Sequence, residues 1–324
     1  MSEPVEGPRG QYHALKDERP EHAFIDALER GRLHHAWMLT GPEGLGKATF
    51  AYRAARRLLG ARPDSSRGLL GSDPADRVSR LIEQDAHPDL LVLERRTEGG
   101  KLRKSIPVEE ARSLPEFFSK SPSMARWRVA IIDAADDLNI NSANALLKTL
   151  EEPPERGVLF LVTHSPARLL VTIRSRCRRL AFRPWPAAEV SGLLERRLGL
   201  QPGDARALAL MAGGSPGRAL GLAEQGALEI DATARALVLG DAPDEAEMLR
   251  FADGLRGGEG QVRLELLFSR LAQAVRERAE VERPEAWGAI WDRLVRTPGE
   301  AANLNLDRAD VLFSTLADIR KARA

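Results

Sequence analysis

Residues 41–49 read Gly41-Pro42-Glu43-Gly44-Leu45-Gly46-Lys47-Ala48-Thr49, a complete G-x-x-x-x-G-K pattern followed by alanine. This pattern constrains the chain around it. A buried strand must end at the first glycine and a helix must start near the lysine, so that backbone N–H groups converge on phosphate oxygens while Lys47 adds positive charge. Both flanks comply. His35-Ala36-Trp37-Met38-Leu39-Thr40 is a mostly apolar run ending at Gly41, and Phe50 to Leu59 carries apolar positions at helical spacing until Gly60. The position after the lysine normally gives Mg²⁺ a hydroxyl. Here it is Ala48, and Thr49 is turned about 100° away around the helix. Gly41, Pro42, Gly44, Leu45, Gly46, Lys47, Ala48 and Thr49 are therefore read as a degenerate phosphate cradle without its metal-holding group. Weak ATP or ADP binding stays open.

The rest of the chain extends the strand–helix alternation. Glu21 to Arg30 reads as a helix ending at Gly31. Residues 61–80 read as a long surface excursion, His87 to Leu93 as a strand, and Glu94 to Ser105 as an exposed hairpin or loop. Pro107 opens a helix with Glu109 and Glu110 in its first turn, where acids suit the helix dipole. Arg128-Val129-Ala130-Ile131-Ile132-Asp133 is a further strand, and Asn141 or Ser142 caps a helix that Pro153-Pro154 ends. Val158 to Thr163 and Arg179 to Phe182 complete five strands. Such alternation predicts an α/β fold with a parallel five-stranded sheet and helices on both faces. After Pro184-Trp185-Pro186 only helical patterns follow, over 187–225 and 230–322, with breaks at Gly213–Gly217 and around Gly257-Gly258. The predicted boundaries are 1–183 for the α/β domain, 184–232 for a small helical domain and 233–324 for an all-α domain.

With 324 residues there is room for two or three domains, and a net charge of +1 argues against a broadly basic nucleic-acid coat. Cys177 is the only cysteine, which excludes an intrachain disulfide and a cysteine zinc cluster. No metal site is expected. His34 and His35 have no partner at metal spacing, and Trp185, Trp287 and Trp291 read as core or interface anchors. The first residues lack an apolar signal segment and no run of about 18 apolar residues occurs, so no membrane is expected and a cytoplasmic location is.

Asp133 ends its strand where a P-loop protein keeps a metal-associated carboxylate. The next residue, often a water-polarising Glu in ATPases of this shape, is Ala134. Ala48 and Ala134 both point to slow or absent hydrolysis. Six arginines fall between 168 and 183. Two readings of them stand: a solvated basic strand edge, or an arginine finger. A finger serves only in trans if the chain's own site is stripped.

Ser142-Ala143-Asn144-Ala145-Leu146-Leu147-Lys148-Thr149-Leu150-Glu151-Glu152-Pro153-Pro154, followed by Thr172-Ile173-Arg174-Ser175-Arg176-Cys177, resembles the bacterial DNA polymerase III clamp-loader family. His34-His35-Ala36-Trp37, Ala48-Thr49, Gly214-Ser215-Pro216-Gly217-Arg218-Ala219 and Asn303-Leu304-Asn305-Leu306-Asp307 add to the resemblance, which runs over essentially the whole chain. It implies an AAA+ P-loop domain, a small helical lid and a helical collar. It also implies a non-hydrolysing stator in a heteropentamer with gamma/tau and delta subunits, acting through that complex on the beta sliding clamp and primed DNA as part of the holoenzyme. Arg176 would be the finger for a neighbour's ATP, Asp133 the degenerate second carboxylate and Arg218 the lid arginine. Many relatives carry a four-cysteine zinc module after the P-loop helix; residues 60–90 contain no cysteine, so zinc is not expected. The rival readings are an active gamma/tau-like ATPase subunit and a free-standing P-loop kinase or regulator.

Overall fold

The computed structural model describes residues 7–13, 16–98, 101–240, 245–256, 260–281, 284–304 and 306–323. Its packing divides the chain into Met1–Leu193 with Gly213–Arg218, and Leu194–Ala212 with Ala219–Ala324.

The first unit is built on a five-stranded sheet of β1 (Ala36–Thr40), β2 (Leu90–Glu94), β5 (Arg128–Asp133), β6 (Gly157–Thr163) and β7 (Arg178–Ala181), in the order β2-β5-β6-β1-β7. Every pairing in it is parallel. The sequence supplies what a doubly covered parallel sheet needs, since successive residues of one strand feed opposite cores. Trp37, Leu39, Val129, Ile131, Val158, Phe160 and Val162 enter one core with α1 (Arg19–Glu29) and α2 (Lys47–Leu59). Ala36, Met38, Ala130, Ile132, Leu159 and Leu161 enter the other with α4 (Val108–Ser119), α5 (Ile140–Glu151) and α6 (Val171–Ser175). Phe24 of α1 centres the first core, edge-on to Trp37 at 5.4 Å and to Phe50 at 5.8 Å.

The predicted sheet with helices on both faces is thus present, with one local correction. Residues 61–80 are a surface excursion, as expected, and it is tied down. Pro63 bridges Ser72, Ser65–Arg67 form a short 3-10 turn, Leu70 is buried, and Asp76 caps α3 (Arg77–Glu83) by accepting from the Val78 N–H at 2.9 Å. The cause is a buried ion pair. Arg53 on α2 meets Glu21 on α1 at 2.9 Å with both side chains 1% exposed, and their remaining valences reach the Arg67 carbonyl and the Leu70 N–H. Arg53 also donates to the Tyr12 carbonyl at 2.6 Å, tying residues 9–12 to α2. The correction concerns α5. Its cap is Asn139, whose side chain accepts from the N–H groups of Asn141 and Ser142; Ser142 instead donates its hydroxyl to the Ile106 carbonyl. Within 94–105, expected as an exposed hairpin or loop, β3 (Thr97–Glu98) pairs antiparallel with β4 (Lys101–Leu102); Gly99 and Gly100 lie outside the described residues.

After Ala181 the described residues form helices only: α7 (Ala187–Leu198), α8 (Pro202–Met211), α9 (Pro216–Glu224), α10 (Ala227–Leu239), α11 (Glu245–Asp253), α12 (Gly260–Ala279), α13 (Pro284–Leu304) and α14 (Arg308–Arg323). The predicted break at Gly257-Gly258 falls outside the described residues. In the second unit, α12 buries Leu264, Leu267, Phe268, Leu271 and Val275, and α13 buries Trp287. No described helix is long and apolar enough to cross a membrane.

Asp89, just before β2, is 0% exposed and accepts from the N–H groups of Ser123, Met124 and Ala125 at 2.7, 2.7 and 3.0 Å, with Arg128 beside it at 3.4 Å. Burial pushes its carboxyl pKa up, but the three N–H groups and Arg128 outweigh burial and hold it below the usual value. Its stabilising share is therefore complete above the unfolded pKa of about 4 and is lost as pH falls through the lower folded value. Asp89→Ala is expected to cost about 3–4 kcal/mol at pH 7 and less in acid, read as urea-melt midpoints at pH 7 and pH 3.

Candidate functional site

β1 ends at Thr40 and the chain turns through the loop into α2, which starts at Lys47 behind a left-handed Gly46. Lys47 is buried. Its ammonium donates to the Gly41 carbonyl at 2.6 Å and to the Pro42 carbonyl, so its hydrogen-bonding capacity is turned onto its own loop. Burial lowers its pKa to about 8, with Asp133, Glu43 and Asp136 pulling the other way.

Asp133 ends β5, and its register partner on β2 is Glu94. Burial first, then the charge of Glu94, raises the Asp133 pKa to about 6; Lys47 opposes that rise, and Asp137 and Glu43 add to it. Asp136 is committed elsewhere, accepting from the Thr163 hydroxyl at 3.0 Å and from the N–H groups of His164 and Ser165 at the end of β6. Ala134 is buried and carries no base, and Ala48 offers the loop no oxygen.

The segment Gly213–Arg218 closes on this loop within the first unit. The Gly217 N–H donates to the Gly44 carbonyl at 2.9 Å, and the buried Ser215 hydroxyl donates to the Glu43 carbonyl at 2.6 Å. Gly44 has φ +75, and a Cβ there would sit 2.4 Å from Ser215 Oγ and 2.6 Å from the Arg218 nitrogen. Only glycine meets both demands. Arg218 reaches the loop through its backbone, its N–H donating to Ser215 Oγ at 3.3 Å while its side chain is exposed.

The structure therefore brings the predicted loop residues, Asp133 and the Arg218 backbone together. The residues present do not fit a magnesium nucleotide. Two of the lysine's three N–H donors are held by the Gly41 and Pro42 carbonyls, the hydroxyl at 48 is missing, and the charges of Asp133, Glu43 and Asp136 act on the lysine. Ser215 and Gly217 were visible in sequence as part of a Gly/Ser/Pro break and of a segment that carries the family resemblance, neither of which gave them a place at the loop. Glu94 and Asp136 carried no local signal, since strand register and the β6 end bring them in.

Arg176 has other partners. It follows α6 and is 37% exposed; it donates to the Thr172 carbonyl at 3.0 Å and pairs with Glu151 at the end of α5 at 3.1 Å. Arg178 lies over the Trp37 ring at 4.9 Å and Arg179 donates to the Thr40 hydroxyl at 3.1 Å, so these two arginines serve the sheet. Burial pushes the Cys177 thiol up to about 12, which makes it inert.

The family model described as DNA polymerase III, delta subunit, matches residues 16–186, more than half of the chain. The chain belongs to this DNA polymerase III subunit family. DNA polymerase III subunit delta' of Pseudomonas aeruginosa is 39% identical over 202 residues, covering 62% of this chain and 59% of that protein. The Escherichia coli subunit delta' is 33% identical, covering 61% and 57% respectively. The E. coli subunit tau is 32% identical over 67% of this chain and 32% of its own length. The matched region thus spans somewhat under three fifths of these delta' relatives.

Two substitutions probe the loop of this polymerase III family member. Gly217→Ala is expected to cost about 1–3 kcal/mol through overpacking against Gly44, with hydrogen exchange accelerated at residues 41–47 and 213–218 while the β5 and β6 amides stay protected. Lys47→Met removes the cation that holds the Asp133 carboxyl down, so its titration midpoint is expected to move above about 6, as followed by carboxyl NMR.

Proposed function

We propose that the chain is the delta-prime-type subunit of a DNA polymerase III clamp loader, a stator that does not turn over ATP at its own loop. In this reading it assembles in the cytoplasm with gamma/tau-type ATPase subunits and a delta subunit in a heteropentamer. The complex places the beta sliding clamp on primed DNA, and Arg176 is the guanidinium offered to ATP on the adjoining subunit. Residues 1–183 are the AAA+ domain, 184–232 the lid and 233–324 the collar through which the subunits associate.

One observation carries the reading: a part-exposed Arg176 held at two points stands in the same domain as a phosphate loop that lacks a hydroxyl at Ala48 and whose lysine leans on its own Gly41 and Pro42 carbonyls. A guanidinium stabilises charge developing on a transferred phosphoryl group, and it can be supplied from another subunit. The family match and the delta' relatives supply the polymerase III context.

The match to tau favours a second reading, an active ATPase subunit. Ala48 and Ala134 oppose it, because the metal loses a ligand and the attacking water loses its base. Steady-state ATP turnover by the purified chain separates the two: no turnover above buffer is expected, and a rate of ordinary motor size would install the second reading. Co-purification with the gamma/tau and delta subunits of the same source is expected, and stable solitude would sink both in favour of a free-standing P-loop regulator. In the reconstituted complex Arg176→Ala is expected to lower DNA-stimulated ATP turnover on the order of 10³-fold while assembly persists. Unchanged turnover would remove the finger.

A further inference from the structure

Glu151 stands out because its place in α5 is unfavourable for the helix. It occupies the last turn, where an acid opposes the negative end of the helix dipole. It is exposed, so burial does not explain it either. What it touches is Arg176, Oε1 to guanidinium at 3.1 Å. Thr172 holds the other terminal nitrogen of the same guanidinium through its carbonyl at 3.0 Å, and that carbonyl is placed in turn by the Ser175 hydroxyl at 3.1 Å.

We infer that Glu151 is a positioning residue for Arg176. It holds the guanidinium in one orientation before the neighbouring subunit's ATP arrives. This rests on the reading of Arg176 as a finger in trans. The physical case has three parts. An unrestrained arginine samples many rotamers, and fixing it at the moment of reaction raises the barrier. Two anchors on separate elements, one on α5 and one on α6, define the guanidinium plane as well as its position. Both side chains are substantially exposed, 37% for Arg176 and 49% for Glu151, so the pair is weak in solvent and yields readily to a phosphate. Glu151 therefore orients the cation without neutralising it permanently.

The inference predicts an effect on turnover without one on folding. In the reconstituted complex Glu151→Ala is expected to lower kcat of the partner ATPase about five-fold, the worth of one immobilised long side chain, with KM for ATP and subunit assembly unchanged. The melting temperature of the isolated chain should hold or rise slightly, since an acid is removed from a helix C-terminus. The Glu151→Ala/Arg176→Ala double variant should be no slower than Arg176→Ala alone, because Glu151 acts only through the arginine. If Arg176→Ala collapses turnover while Glu151→Ala leaves kcat intact, the positioning role is overturned and the finger stands. If the two losses multiply in the double variant, Glu151 acts by some other route and the inference is wrong. If Arg176→Ala itself changes nothing, the finger reading falls and takes this inference with it.

Discussion

Main-chain hydrogen bonds between β1 and its two parallel neighbours set Thr40 beside Thr163 on β6 and Ala181 on β7, and the same arrangement sets Asp133 beside Glu94. Parallel pairing sends the carboxyl ends of all five strands to one edge, the edge where open α/β sheets gather their chemistry. The phosphate loop, the Asp133 carboxyl, the Asp136 clamp on the β6 end and the Phe182 N–H bonded to Thr40 all issue from it. Both faces of the sheet are buried, so none of these termini can slide by one residue without turning a set of core side chains into the wrong layer.

On that edge the loop is arranged as a finished structure. A phosphate loop that waits for a ligand leaves its lysine and its backbone N–H groups unspent. Here two of the three Lys47 N–H donors are held by the Gly41 and Pro42 carbonyls, and the Glu43 and Gly44 carbonyls accept from Ser215 and Gly217. The charges of Asp133, Glu43 and Asp136 act on the ammonium and would repel a phosphate brought to it. The electrostatic contrast is with Arg176, whose cation is anchored but still wetted. Lys47 is buried against its own loop; Arg176 is part-exposed.

β1, β2, β5 and β6 were legible because each is a mostly apolar run bounded by a turn residue, and β5 was read to the residue, whereas β7, with two arginines in four residues, was placed one residue late. The helix caps were less so. Asn139, Asn141 and Ser142 are all good capping residues within four positions, and only the backbone settles which accepts the free N–H groups. The order within the 61–80 excursion was not legible, because it comes from Glu21 and Arg53, distant in sequence and unremarkable singly. At the site, the loop residues and Asp133 could be read from spacing. Glu94, Asp136 and Ser215 could not, since long-range register brings them there. Glu151 lay in plain view within a charged pair of glutamates, and which of the two meets Arg176 is a matter of three-dimensional reach.

β7 forms one border of the sheet, and its unpaired main-chain groups could in principle accept a strand from another molecule. Arg178 and Arg179 are both exposed on that border, one braced over the Trp37 ring and the other tied to Thr40. Two such strands brought together would press guanidiniums against guanidiniums. Sheet extension is thereby discouraged, so two copies of the domain that collide at this border do not stack edge to edge into fibres.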